Sequence, residues 1–188
     1  MPTSKSGRAA AKPFAIELLI GDHRKVDQLF KQYEDMKEDE DESRRAIAEL
    51  ICAELTVHAT VEEELFYPWL RENLDDEDME MVEEAEVEHQ TAKDLIAQLE
   101  GAEGLDAVYD AKVKVLSEYI KHHVKEEEEE IFPKVSDKKE ELDELGQEMA
   151  ARKVELMEEQ GLGDDAPEPK EAKKPGGGVR PTAPGRGR

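Results

Sequence analysis

The sequence predicts an all-α fold: an antiparallel up-down four-helix bundle with a short extra C-terminal helix and a disordered tail. Three observations carry this expectation. Apolar residues through the middle of the chain recur at steps of three and four, the period of one helix face. They do so in four long segments joined by short connections, the pattern of antiparallel neighbours. The 188 residues are 37% apolar and 40% charged, a lean core beneath a charged surface that suits amphipathic helices better than a β-sandwich. Disorder is the rival account of so much charge, and the helical spacing argues against it for the central segments.

Residues 1–12, rich in Ser, Gly, Ala and base, read as a flexible leader. A first helix is predicted from Pro13, which suits a first turn, to about Met36, with Ile16, Leu19, His23, Val26, Phe30 and Tyr33 inward. The acidic run 38–42 ends it. A second helix is predicted from Ser43, read as an N-cap, to about Asn73. Its inward stripe is Ile47, Ile51, Leu55, His58, Glu62, Leu65 and Trp69, with Pro68 able to kink its last turn.

The third helix is predicted to start in the acidic run Asp75–Asp78, which complements a helix N-terminus, and to end at Gly101 and Gly104. Val82, Ala85, His89, Ala92, Ile96 and Leu99 face inward. The fourth runs from about Leu105 to Phe132, with Val108, Val115, Tyr119, His123, Glu127 and Ile131 inward. The bundle thus occupies residues 13–135. An additional helix follows within 136–160, burying Leu142, Leu145, Met149 and Leu156. Residues 161–188, rich in Pro, Gly and base, cannot bury a core and read as a disordered tail.

The net charge of −23 is unevenly spread: residues 1–13 contribute +3 and 166–188 contribute +4, so 14–165 carry −30. That surface repels nucleic acid and anionic membranes and concentrates cations. Cys52 is the only cysteine, which rules out an internal disulfide and a thiolate metal site and fits a reducing compartment. The apolar stretch Phe14–Ile20 is interrupted by Glu17 and too short to span a bilayer. No signal core is visible at the N-terminus, so a cytoplasmic location is expected, as a monomer or weak oligomer.

Only five histidines occur: His23, His58, His89, His122 and His123. Four of them fall on inward stripes, one per helix. His58 is followed by Glu62 and Pro68, and His123 by Glu127 and Pro133, each pair of matching residues 65 apart. Asp22-His23 and Glu88-His89 match at an offset of 66. The chain therefore looks like a duplicated helix pair whose half-motif is a His on one helix and His-x-x-x-Glu on the next. Residues i and i+4 lie about 40° apart around a helix, one turn along it, so each His/Glu pair can point at one place. Six ligands from four helices suit a pair of ions about 3.5–4 Å apart, bridged by carboxylates. Imidazole suits iron, zinc and copper, and carboxylate suits iron and manganese.

The pattern His23 … His58-x-x-x-Glu62 … His89 … His123-x-x-x-Glu127, with its Phe-Tyr-Pro and Ile-Phe-Pro endings, resembles the hemerythrin-like HHE cation-binding family over about residues 14–133. The resemblance implies a di-iron centre with His23, His58, His89 and His123 as terminal ligands. Glu62 and Glu127 would be bridging carboxylates beside an oxide, hydroxide or water. Oxygen-carrying hemerythrins use His-x-x-x-His on the third helix, where this chain has Lys93, and His-x-x-x-x-Asp on the fourth, where Glu127 and Glu128 stand at four and five. Four histidines imply two more evenly coordinated ions. The resemblance then points to binding or reduction of oxygen, peroxide or nitric oxide in stress, with an external electron donor. The alternative is an iron or oxygen sensor or metal store without turnover.

Each signal has a plainer reading. One His-x-x-x-Glu arises often on acidic helices as a surface pair; two in matched context, each with an inward His upstream, do not. Were they structural, four histidines and two glutamates in a core would need partners. His122 points about 100° from His123 and reads as a surface residue. Glu63 and Glu128 read as solvated groups or as acceptors that orient imidazoles. Tyr67 lies off the ligand face of a straight helix, although Pro68 could turn it inward to the metal, and reads mainly as packing. Cys52 reads as a small buried hydrophobe.

Overall fold

Among the described residues, 12–36 and 41–162 of the computed structural model, every regular element is helical. The predicted leader before Lys12 and the predicted tail beyond Leu162 lie outside them. Helix α1 (Phe14–Asp35) opens directly after Pro13, whose carbonyl accepts from the Glu17 N–H. All six residues predicted for its inward stripe are buried. Helix α2 (Asp41–Val61) starts two residues before Ser43, which therefore lies inside the helix and does not cap it. Asp41 and Glu42 complement the first turn instead.

α2 continues through a π-helical segment, Glu62–Phe66, into α3 (Tyr67–Asn73). The Tyr67 N–H donates to the Glu62 carbonyl, five residues back. Proline explains the position of the widened turn. Pro68 has no N–H to give, and its ring crowds the carbonyl four residues before it; a π turn relieves that by taking in one extra residue. The inward face consequently shifts by one. Phe66, Tyr67 and Leu70 are buried, whereas Leu65 and Trp69, predicted inward, are only half-buried.

A 3-10 turn (Asp76–Asp78) leads into α4 (Met79–Glu100), whose six predicted inward residues are all buried. Helix α5 (Ala107–Glu126) is capped by Asp106, whose carboxylate accepts from the Val108 and Tyr109 N–H groups. It too passes through a π segment, Glu127–Ile131, into α6 (Phe132–Val135), and Pro133 again follows the wide turn. The predicted face of α5 is corrected at its start. Val108 and Val115 are exposed, and Tyr109, Val113 and Leu116 are buried in their place. The buried set leads at steps of three and four to Ile120 and His123, so the helix faces the core along a stripe that leaves those two valines outside.

Helix α7 (Lys139–Glu159) buries Leu142, Leu145, Met149 and Leu156, as the sequence predicts, and lies along α1. Asp143 of α7 accepts from the Phe14 N–H at 2.7 Å, satisfying one free donor at the start of α1. Gly146 permits the close approach: a Cβ there would meet the Ala15 nitrogen at 2.5 Å.

The apolar core is in two parts. One gathers Ile16, Leu19, Phe66, Leu70, Val82, Ile131 and the inner face of α7. The other gathers Val26, Phe30, Ile51, Leu55, Ile96, Leu99, Val113 and Leu116. At the far end of the second, Arg44 of α2, Tyr33 of α1 and Asp110 of α5 tie three helices together, the Tyr33 hydroxyl donating to Asp110 at 2.7 Å. Cys52 is buried in this second part, where burial pushes its thiol up to about 12. Between the two lies a layer of buried histidines and glutamates.

Candidate metal centre

His23 of α1, His58 of α2, His89 of α4 and His123 of α5 meet in that layer with Glu62 and Glu127, the first residues of the two π segments. Both glutamates are fully buried, 0% exposed. His58 Nε2 lies 3.1 Å and His89 Nε2 3.3 Å from Glu62 Oε2. His23 Nε2 lies 3.3 Å and His123 Nε2 3.7 Å from Glu127 Oε2. The Nε2 atoms of His89 and His123 are 3.1 Å apart. All six side chains singled out in the sequence are thus brought together. Ligand atoms of His23, His58, Glu62 and Glu127 fall within 4.8 Å of one another, as do those of Glu62, His89 and His123. Glu62 belongs to both groups, the arrangement two adjacent cations need from a shared carboxylate.

Each imidazole has an acid behind it, and those of His23, His89 and His123 are hydrogen-bonded to theirs. Nδ1 of His23 faces Glu128 at 2.9 Å, that of His89 faces Glu63 at 3.0 Å, and that of His123 faces Glu88 at 2.8 Å. Nδ1 of His58 makes a longer contact with Asp22, at 3.5 Å. The four acids obey the internal repeat: Asp22 and Glu88 precede a His, Glu63 and Glu128 follow a Glu. Where Nδ1 donates its proton outward, as in His23, His89 and His123, Nε2 keeps its lone pair for the centre, the tautomer a metal requires. Lys93, standing where oxygen carriers have a histidine, turns away from the centre and pairs with Glu63. His122 has an exposed side chain beside Glu126 and does not join the six.

Tyr67 does more than pack, and of its two expected positions the structure shows the inward one. The π turn brings it back to the inner face, where its hydroxyl donates to Glu127 Oε1 at 3.1 Å and lies 3.2 Å from His89 Nε2. A straight α-helix would place it about 140° round from Glu62. The signal was Pro68, which forecasts a distortion but not its size. Asp22 and Glu88 were also missed as partners of the imidazoles, although the repeat aligns them.

The electrostatics are those of a centre built for a cation. Burial pulls the His58 imidazole pKa down, but Glu62 and Asp22 outweigh it and raise it well above the usual histidine range. Burial pulls His89 down too, but Glu62 and Glu63 outweigh it and raise the imidazole to about 9. Burial pulls on Glu62 in the other direction, yet His58 and His89 hold its carboxyl well below the carboxylate range. Burial pushes the Tyr67 phenol well up, as do Glu127 and Glu62, so it stays a donor.

Whether a metal fits is decided by the atoms left without partners. Nε2 of His23 and His58, both oxygens of Glu62 and Oε2 of Glu127 are buried and accept or donate no hydrogen bond. Each such atom costs about 1–3 kcal/mol if nothing satisfies it. They converge on one space between two apolar layers, and a cation would satisfy all of them.

The hemerythrin HHE cation-binding domain family matches residues 15–135. The chain belongs to that family. A crystal structure of a hemerythrin HHE cation binding domain-containing protein from Mycobacterium kansasii shares the fold of this HHE protein. Its TM-score is 0.63 at 23% sequence identity, over 80% of this chain and 88% of that one. Comparison with curated proteins gives no significant match. Metal-cation binding is therefore a property of the family to which this HHE chain belongs, and its histidine–glutamate clusters are compatible with it. Among the described residues no helix is long and apolar enough to cross a membrane.

Proposed function

We propose that this chain holds two iron ions through His23, His58, Glu62, His89, His123 and Glu127, and binds or reduces a small oxidant in stress. The observation that carries the reading is the convergence of four buried imidazoles and two buried carboxylates, with Glu62 common to both groups and the facing atoms of His23, His58, Glu62 and Glu127 left without hydrogen-bond partners. The ligand types favour iron over a thiolate-bound metal. Two iron ions so held would supply the electron transfers by which oxygen, peroxide or nitric oxide is bound or reduced, with an external donor restoring them.

The chain's own part is positioning and exclusion. Glu63, Glu88 and Glu128 fix the tautomers of His89, His123 and His23, and Asp22 stands behind His58. The two apolar layers keep bulk water from the centre, which strengthens every electrostatic contact inside it. Tyr67 brings the nearest neutral proton, on an oxygen 3.1 Å from Glu127. A groove of about 290 Å³ between α1 and α5, walled by Phe30, Ile120 and Val124, reaches His23 and is wide enough for a diatomic molecule or peroxide.

The test is metal analysis and visible spectroscopy of protein from its native host. About two irons per chain, with the near-ultraviolet and visible bands of an oxo-bridged ferric pair, are expected. A colourless zinc protein would end the reading. One observation favours sensing as a second reading: Lys153 of α7, a helix beyond the family match, pairs with Asp22 behind His58. Peroxide consumption no faster than by free iron would decide for that alternative.

A further inference from the structure

The geometry points to a loading site for divalent metal at Glu88, His122 and Glu126, at the mouth of a passage between α4 and α5 through which the cation reaches the buried centre. This rests on the proposed metal centre and adds how it is filled. Three side chains define the outer position. His122 Nε2 lies 3.1 Å from Glu126 Oε1 and 3.9 Å from Glu88 Oε1, and one ligand atom from each lies within 4.8 Å of the others. Glu88 faces both ways, since its other oxygen accepts from His123 Nδ1 at 2.8 Å. A cation leaving this position therefore moves along one carboxylate towards the ring that receives it.

Behind the mouth the passage has a volume of about 40 Å³, room for an ion with one or two waters. Glu84, Glu126 and Glu130 line it, and it ends on His123 and Glu127. Glu127 joins the passage to the centre. It is fully buried, it lines the inner end, and its Oε2 has no hydrogen-bond partner. Acids at the opening thus lead to an unsatisfied acid at the bottom.

The internal repeat shows what such a position attracts. Asp22 is the counterpart of Glu88, and there the chain supplies its own cation: the Lys153 ammonium, itself largely buried, pairs with Asp22. That side is closed by α7. Among the described residues no lysine or arginine forms an ion pair with Glu84, Glu88 or Glu126, and Lys134, near Glu130, pairs with Asp78. One of two equivalent approaches is blocked by a fixed cation, and the other remains open to a mobile one. The excess of acid on the surrounding body focuses cations onto it, an effect that raises association rates by about 10- to 1,000-fold in charged clefts.

Stopped-flow uptake of Co(II) by the full-length metal-free chain tests the route, read from the visible absorption of Co(II) bound by imidazole and carboxylate. His122→Ala and the pair Glu126→Gln/Glu130→Gln are expected to slow uptake about tenfold and leave the final Co(II) content unchanged. The pair Glu140→Gln/Glu141→Gln, exposed on α7, removes the same charge elsewhere and should leave the rate near wild type. Equal rates in the passage and control pairs overturn the route while the buried centre stands. Loss of capacity instead of rate also overturns it, by making these groups part of the centre. Wild-type protein that takes up no Co(II) defeats the centre and the route together.

Discussion

Tyr67 and Phe132 occupy equivalent places in the duplicated halves, 65 residues apart, yet only one carries a hydroxyl. Tyr67 packs against His89 with ring centroids 5.3 Å apart and donates to Glu127. Phe132 stacks on His23 at 6.1 Å, its ring 5° from parallel, and offers no proton. The near-symmetric centre is therefore chemically one-sided. Tyr67→Phe copies the other half and removes nothing but the hydroxyl. Metal content is expected to stay at the wild-type level. The rate of reaction with peroxide should fall by about 100-fold, the low end of general acid contributions. Unchanged rates across pH 6–9 would show that the phenol only packs.

Glu62 is the one carboxylate common to both groups of potential ligands. Glu62→Ala removes a partner from each, and His123→Ala removes one Nε2 from the second. Both variants are expected to lose most bound iron by elemental analysis, whereas His122→Ala keeps it at equilibrium because its ring is exposed. Equal iron in all three would end the six-ligand assignment.

The outer acids allow a graded test. Glu88→Gln keeps the shape and an acceptor oxygen behind His123 but removes the charge. Outer partners of ligating histidines commonly matter by 10- to 100-fold in affinity. A competition assay against a chelator should therefore show a loss of about that size, with the helical content intact. Wild-type affinity would mean that the Glu88 charge contributes nothing to the centre.

Most of this architecture was legible because helical period and ligand spacing are the same signal. His23 and His89 sit on stripes that α1 and α4 bury whole, and a residue on a buried stripe can only point inward. The repeat at 65 and 66 then paired the helices without any structure. What escaped were departures from the ideal period. The first π turn shifts Phe66 and Tyr67 inward past Leu65 and Trp69, and no count at 100° per residue finds that. Val108 and Val115 misled for a related reason: valine is apolar wherever it stands, and exposed valines on a charged helix imitate a core stripe. Asp22 and Glu88 act on the neighbouring helix rather than their own, so their role depends on packing, which spacing along one helix does not encode.

Protons and metal compete for the same atoms. In the metal-free chain the His58, His89 and His123 pKa values are raised: burial opposes it, and Glu62, Glu63, Glu88 and Glu127 prevail. Groups raised on folding stabilise fully below the unfolded value near 6.5 and lose that contribution as pH rises through the folded value, about 9 for His89. The metal-free protein should therefore lose stability from pH 6.5 towards 9. The loaded protein, whose imidazoles are neutral, should not, so the gain in Tm on loading is expected to grow across this window. Loading should also release protons in weakly buffered solution near neutral pH. A Tm difference that is flat from pH 6 to 9 would contradict the proton-filled centre.

Gly146 decides how α7 reaches the metal layer. A Cβ at 146 would come within 2.5 Å of the Ala15 nitrogen and 2.9 Å of the Phe14 carbonyl carbon, and both are backbone atoms that cannot swing aside. Gly146→Ala must therefore lift α7 from α1, although alanine is the better helix former by about 1 kcal/mol. Overpacking of this kind costs about 1–3 kcal/mol, so the net effect is expected to be a loss of Tm despite the gain in propensity. Lifting α7 also draws Lys153 from Asp22 and leaves that carboxylate to His58 alone. Separating the two effects needs Lys153→Met, which breaks the ion pair without touching the α1 contact. If both variants weaken metal binding and only Gly146→Ala lowers the Tm of the metal-free protein by several degrees, the helix is coupled to the centre through Lys153. If Lys153→Met binds metal as wild type does, α7 is a brace for α1 and the coupling is absent.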